Sequence, residues 1–236
     1  MWTLDSYKAF FSFSKYSVRW IVNSLIVASA TVAGNVIFAS MAGYAFSKIR
    51  FKGRQWLFGL ILVAMMIPYQ VTQVPLYILI ANKLHMTNTY AAMILPGVVT
   101  SYNIFLAKQF FTSIPTPLIE SAKLDGCNQL GIFVRIILPL SKATIATIAL
   151  FTAVGYWNDY FSTVLYIRSV DKWALQAVLR NMLTNTQQAM QQAGVNVMAQ
   201  TNTNAQTIKA GTIVVSTVPI LIVYPFVQKY FVKGVM

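Results

Sequence analysis

Five of the 236 residues carry a carboxylate, and two of them, Glu120 and Asp125, fall in ESAKLDGCNQLGIFVRIILPL (120–140), between long apolar runs. Paired carboxylates can act as general acid and base. Here they stand in a hydrophilic connection with no partner nucleophile. The chain has one histidine, His85, and one cysteine, Cys127. One cysteine excludes an intrachain disulfide and a cysteine-based zinc site, and one histidine argues against histidine-ligated metal. His85 reads as a loop residue and Cys127 as a small residue in a bend. No catalytic or metal-binding residue is therefore assigned. Asp159 differs, because it lies inside an apolar run with Tyr156, Trp157 and Asn158 just ahead of it. An ionisable group within a span is a candidate functional group. The plainer reading of Asp159 is a hydrogen bond near the outer membrane boundary or between subunits. Gln70, Gln73 and Asn103 are further polar residues in apolar surroundings.

The elements that carry these residues follow from composition. Charged residues are 10% of the chain, against about 25% in soluble domains, and the mean hydropathy is +0.60. So few charges cannot cover a water-facing surface, so lipid is the solvent for most of the chain. A net charge of +13 by itself would suit nucleic acid. The bases, however, lie between apolar runs, as in membrane-protein loops, so no nucleic-acid partner is expected. A span needs about 20 apolar residues. Five runs qualify, at 21–46, 56–81, 90–111, 142–166 and 209–232. The predicted fold is all-α, a polytopic transmembrane helix bundle forming one domain over 1–236.

Lysine and arginine set the orientation. SKIRFKGR (47–54) carries Lys48, Arg50, Lys52 and Arg54, which places it in the cytoplasm. Alternation then puts 82–89 outside, 112–141 inside, 167–208 outside and the C-terminus inside. Lys229 and Lys233 agree, whereas Lys8, Lys15 and Arg19 do not. The opening MWTLDSYKAFFSF lacks the order of a signal peptide. An outside start implies a further, sixth span ahead of it. Trp2, Phe10 and Phe11 suit the membrane interface. Pro68 and Pro75 are expected to interrupt the second run around Tyr69, Gln70, Thr72 and Gln73, and Pro96 with Gly97 to interrupt the third. Broken helices must face protein or a water-filled cavity. Small residues along 28–45 allow close helix packing.

Residues 112–141 have their own structure. Thr116 before Pro117 predicts a hydroxyl cap followed by proline at the first helical position. PLIESAKL then forms a short helix, with Leu118, Ile119 and Ala122 on one face and Glu120 and Lys123 beside it. Gly126 is the expected left-handed stop. A second helix runs from there to the membrane, re-entering near Pro139. Two helices joined at a glycine suit docking into a partner's groove; an ordinary structured loop with solvated carboxylates is the alternative.

Glu120-Ser121-Ala122, three residues, Gly126, nine residues, Ile136, one residue and Leu138-Pro139 resemble the EAA signature of bacterial ATP-binding-cassette importer permeases. Only Ser121 departs from it. The resemblance implies a cytoplasmic coupling helix that docks on an ATPase, with Glu120, Ser121, Ala122, Asp125, Gly126, Ile136, Leu138 and Pro139 as coupling residues. NSLIVA (23–28), GYAFSKIRFKGR (43–54), IPTPLIESAKLDG (114–126), GYWNDYFSTVLYI (155–167) and YPFVQKYFVKGVM (224–236) are similar to carbohydrate-importer permeases. They are most similar to the maltose-type second permease, in the branch serving complex oligosaccharides, and the likeness covers nearly the whole chain. Such permeases begin with an additional span and extend beyond KGVM, so more chain is expected at both ends.

The resemblance implies a multi-pass protein of the bacterial plasma membrane that imports oligosaccharides or polysaccharide fragments. Its implied partners are a second homologous permease, a dimer of cytoplasmic ATPase subunits, an extracellular sugar-binding protein and membrane lipid. No GxxxxGK[ST] phosphate loop occurs, so ATP and magnesium belong to the ATPase, and this chain carries no cofactor. Tyr156, Trp157, Asn158 and Asp159, with Gln70, Gln73 and Asn103, become candidate linings of the sugar path. The stretch LTNTQQAMQQAGVNVMAQTNTNAQT, within 167–208, is either a docking surface for the binding protein or a polar linker or packing helix. A stand-alone channel or secondary carrier would want several intramembrane charges, where only Asp159 qualifies. A permease for a non-sugar solute such as a peptide is a further alternative.

Overall fold

The computed structural model describes residues 14–192 and 210–222, together with Phe11. Among the described residues all regular structure is helical. The first helix, α1 (Ser17–Lys48), has 32 residues. At 1.5 Å per residue it is ~48 Å long, more than a hydrocarbon core of about 30 Å. Its buried side carries small and polar residues, Asn23, Ser24, Thr31, Asn35 and Ser40, among Trp20, Val27, Ala28, Ala39 and Tyr44, while Leu25, Ile26, Ile37, Phe38 and Met41 face outward. That arrangement is what lipid permits. Apolar side chains lose nothing by facing acyl chains, and small or polar ones bring helices together.

The second apolar run is not one straight span. It forms α2 (Arg54–Met66) and α3 (Tyr69–Ile78), the latter prolonged by a π-helical turn, Leu79–Lys83. The two arms meet at 102°. Pro68 causes the bend, because its ring drives the residue before it out of the helical region, and Ile67 is extended at ψ 120°. Pro75 sits inside α3 without interrupting it. The third run also differs from expectation. Helix α4 (Tyr90–Val98) contains Pro96 and Gly97, and the interruption comes at Val99–Thr100, ahead of α5 (Ser101–Ser113). The Asn35 amide donates to the Gly97 carbonyl at 2.8 Å and to Thr100 Oγ1 at 3.2 Å. A helix end inside the bundle is thereby satisfied.

Helices α6 (Thr116–Leu124) and α7 (Gln129–Leu140) follow, and α7 turns by 80° at Ser141 into α8 (Lys142–Trp157). The fourth apolar run, 142–166, is therefore not continuous: α8 stops at Trp157, and α9 (Phe161–Tyr166) is separate. A 3-10 turn, Val170–Lys172, leads to α10 (Leu175–Gln192). Helix α11 (Ala210–Ile222) is the described part of the fifth run. The N-terminal residues Trp2, Lys8 and Phe10, residues 193–207 of the polar stretch, and YPFVQKYFVKGVM (224–236) with Lys229 and Lys233 lie outside the described residues.

α1 is the central element, packed on α4, α5 and α8. Its two ends organise two sets of connections. At the C-terminal end the Lys48 ammonium donates to the carbonyls of Thr112 and Ile114. At the N-terminal end Trp20 Nε1 donates to the Val170 carbonyl at 2.7 Å, and Asn23 Nδ2 donates to those of Asp171 and Trp173, both at 2.9 Å. There Asn88 Nδ2 also donates to Ser169 Oγ at 2.9 Å. The basic turn 49–53 and the loop 112–141 thus share one end of the bundle, and 82–89 and 167–174 share the other.

Candidate functional site

The signature loop is built from its helix ends. Helix α6 starts one residue earlier than predicted: Pro115 precedes it, and Thr116 makes no cap bond. The Pro115 carbonyl already accepts the Leu118 N–H at 3.3 Å, so the backbone starts the helix without the hydroxyl. The stop is as predicted. Gly126 has φ +81°. Cys127 N–H donates to the Ala122 carbonyl at 2.9 Å, and Gly126 N–H donates to that of Lys123 at 3.0 Å. This is the paired closure of a helix ended by a left-handed residue. Cys127 packs on the core that holds Ala122, which supplies the apolar contact typical of such endings. Asn128 then caps α7, its side-chain oxygen accepting the Gly131 N–H at 2.7 Å. That cap was missed in the sequence, although an Asn just ahead of an apolar run is its usual signal.

The inner face of α6 consists of Ile119 and Ala122, not Leu118. Both are buried in one cluster with Tyr44 of α1, Ala107 and Phe111 of α5, Ile132, Phe133 and Ile137 of α7, and Ile148 of α8. Tyr44 reinforces the joint: its hydroxyl donates to Gln129 Oε1 at 2.8 Å, and its ring lies 5.3 Å from that of Phe133. Leu118 turns outward, because it lies 100° around the helix from Ile119. On the outer side Glu120, Ser121, Lys123, Asp125 and Gly126 are exposed, and Leu124 is 90% exposed. Ser121, Ala122, Asp125, Ile136 and Pro139 come together on the wall of one open cleft of about 410 Å³ between α6 and α7. Glu120, Gly126 and Leu138 do not line it. Leu138 instead packs against the shared core.

The second candidate set divides. Asn103 is buried, donating to Asn35 Oδ1 at 2.6 Å and to Thr152 Oγ1 at 3.1 Å, so it ties α5 to α1 and α8. Trp157 is buried and donates to the Ser216 carbonyl of α11 at 2.8 Å. Asn158 is exposed, donates to the Val154 carbonyl at 2.9 Å and accepts from Gln176 at 3.3 Å. Asp159 lies at the break between α8 and α9, where its carboxylate accepts the Ser162 N–H at 3.1 Å.

Gln73, Tyr156 and Asp159 do converge. Tyr69, Gln73 and Tyr77 recur at helical spacing and form one stripe on α3. The Tyr77 ring stacks on Tyr166 at 6.0 Å, and the Asp159 carboxylate is within electrostatic reach of Tyr69, Tyr156 and Tyr166. Gln70 is exposed and lies off the stripe. Tyr69 was read in the sequence as part of the polar patch between Pro68 and Pro75, whereas Tyr77 and Tyr166 were not singled out. The spacing of Tyr69, Gln73 and Tyr77 was visible there, but their neighbours on α8 and α9 were not. Tyr69 is exposed, Gln73, Tyr77, Tyr156 and Asp159 are half-buried, and Tyr166 lies buried beneath them; the Tyr69 ring and the half-buried polar groups beside it can stack on and hydrogen-bond a polyhydroxylated solute.

The family described as binding-protein-dependent transport system inner membrane component matches residues 35–236. The chain is similar to Protein LplC of Bacillus subtilis, with 40% identity over 99% of this chain and 77% of that protein. It is similar to the polygalacturonan/rhamnogalacturonan transport system permease protein YtcP of the same bacterium, with 38% identity over 99% of this chain and 80% of that protein. A crystal structure of a bacterial ABC transporter involved in the import of the acidic polysaccharide alginate matches with a TM-score of 0.82 and 28% identity. That match covers 96% of this chain and 79% of that one.

Proposed function

The chain belongs to the binding-protein-dependent transport system inner membrane components, and on that footing we propose that it moves oligosaccharides or polysaccharide fragments into the cell, with α6 as the element that receives the driving force. It is a permease subunit of the membrane rather than an enzyme, as its resemblance to carbohydrate-importer permeases implied. Its partners are a second permease of the same kind, a dimer of ATPase subunits that hold ATP and magnesium, and a sugar-binding protein on the outer side. The chain crosses the bilayer about five times, through α1, the bent pair α2–α3, the α4–α5 run, α7–α8 and α11.

The observation that carries this reading is the two-sided character of α6. Its inner residues Ile119 and Ala122 are fastened to a core shared by α1, α5, α7 and α8, while Glu120, Leu124 and Asp125 face outward. Interiors are close-packed and transmit displacement. A push on the outer face of α6, delivered when the ATPase subunits close on ATP, moves three crossing elements together. That movement switches the pathway between inside and outside access. Glu120→Lys tests the docking face. A like-charge contact in place of an attractive one costs several kcal/mol. The expected outcome is a normal amount of protein in the membrane, with ATP-driven uptake reduced at least ~10-fold. Wild-type uptake by this variant would remove α6 from the coupling role.

The stripe of Tyr69, Gln73 and Tyr77, facing Tyr156, Asp159 and Tyr166, is our candidate for the surface that sugar passes. Asn103 and Trp157 act instead as ties between helices. Tyr69 is the most accessible of the rings, at 53% exposure. Tyr69→Ala removes a stacking face whose worth is about 0.5–1.5 kcal/mol. At saturating binding protein the uptake rate should fall roughly 3- to 10-fold, with the basal ATPase rate retained. An unchanged uptake rate would move the pathway elsewhere.

A further inference from the structure

The basic turn between α1 and α2 plays no part in the reading above. Residues 50–56 read RFKGRQW. Arg50, Phe51, Gly53, Arg54, Gln55 and Trp56 line a shallow cleft of about 320 Å³. Two neighbouring cations are engaged: Lys48 with the Thr112 and Ile114 carbonyls, and Arg54 Nη1 with the Ile49 carbonyl at 3.3 Å. Arg50 and Lys52 are exposed and have no hydrogen-bond or ion-pair partner among the described residues. No carboxylate among the described residues pairs with the turn; the ion pair found there is Arg19–Asp171, at the opposite end of α1. The turn's position is set by aromatic packing, with Phe51 on Phe46 at 5.9 Å and Phe46 on Phe58 at 5.6 Å. Trp56 is left 84% exposed beside the cations.

We propose that this cleft binds the phosphate headgroup of an anionic phospholipid. The turn joins two membrane-crossing elements, so it lies at headgroup level, where a free tryptophan also settles. Its two unpaired cations need counter-ions, and anionic lipid draws basic residues near a membrane surface. Beside the cleft, α2 exposes Leu57, Leu60, Leu62 and Val63. A cationic cleft continuous with an apolar helix face matches a phosphate head with acyl tails. An acidic protein surface has no use for the apolar half of that site.

The test compares the full-length chain with its Arg50→Gln/Lys52→Gln variant, each purified in mild nonionic detergent. Each is titrated with phosphatidylglycerol or phosphatidylcholine, and the retained lipid is counted by native mass spectrometry. Both substitutions are at exposed positions, where effects on folding are small. The wild type should retain phosphatidylglycerol in preference, and the double variant should lose about 10- to 30-fold of that preference. Equal retention of the two lipids by the wild type, or an undiminished preference in the variant, would overturn the proposal. So would loss of the bound phosphatidylglycerol on assembly with the ATPase, which would assign the turn to that protein.

Discussion

Gly126→Val should leave the chain in the membrane and cut ATP-driven uptake about 10- to 100-fold. A Cβ at this position would meet nothing within 4 Å, so crowding inside the chain is not the cause. The cost is in the backbone. At φ +81° a non-glycine residue is strained by about 1–3 kcal/mol, and a β-branched one is at the upper end. Relief of that strain opens the two hydrogen bonds that end α6 and lets the helix rotate Ile119 and Ala122 out of the shared core. On the proposed coupling role, the driving push would then fall on an element no longer fastened to the bundle. Asparagine enters the left-handed region more readily, so Gly126→Asn should lose less. The measurement is uptake and ATP hydrolysis by the reconstituted importer with each variant. Equal losses for valine and asparagine would refute the conformational explanation. Full uptake by Gly126→Val would refute the coupling role itself.

Gly43→Val should act first on the stability of the fold. A Cβ at Gly43 would lie 2.6 Å from Ala107 Cβ, 2.9 Å from Lys108 N and 3.0 Å from the Ala107 carbonyl carbon. Two of these neighbours are backbone and cannot rotate away. Helices α1 and α5 would have to separate at the joint that holds Tyr44, Ala107 and Phe111. The same movement stretches the 2.6 Å bond from Asn103 to Asn35. Overpacking of this kind costs about 1–3 kcal/mol, sometimes more. For a chain of this size that is a fall of about 2–12 °C in melting temperature. Thermal unfolding of the purified chain in detergent measures it. Ala107→Gly, combined with the smaller Gly43→Ala, removes the closest contact and should recover part of the loss. A melting temperature unchanged by Gly43→Val would show that the two helices are not held at this spacing.

The two-helix form of the signature loop was readable because its cues are local. Gly126 has to be left-handed to end a helix between Ala122 and Cys127, and a glycine at that offset is the cheapest way to do it. The spaced residues Glu120, Ile136, Leu138 and Pro139 mark the family in a single stretch. What they could not show is which residues point inward. The order of burial in α6, with Ile119 and Ala122 in and Leu118 out, is set by Phe111 and Phe133, which approach from other helices. The proline cues misled for a related reason. Pro68 bends the chain, whereas Pro75 and Pro96 remain inside helices, and in the case of Pro96 the nearby helix end is supported by Asn35, more than 60 residues away in the chain.

From the sequence alone came the solvent, the helical class, the approximate apolar runs and the signature loop. Each depends on composition or on dihedral preference within a few residues, and lipid leaves helices as the structure that satisfies the backbone of such runs. The tertiary structure alone decided the 102° fold of α2 on α3, the assignment of Asn103 to a buried three-helix tie, and the gathering of Tyr69, Tyr156 and Tyr166 around Asp159. Polar side chains inside a lipid-facing chain take whichever partner the packed helices bring within hydrogen-bonding distance, and that distance is set by the whole bundle.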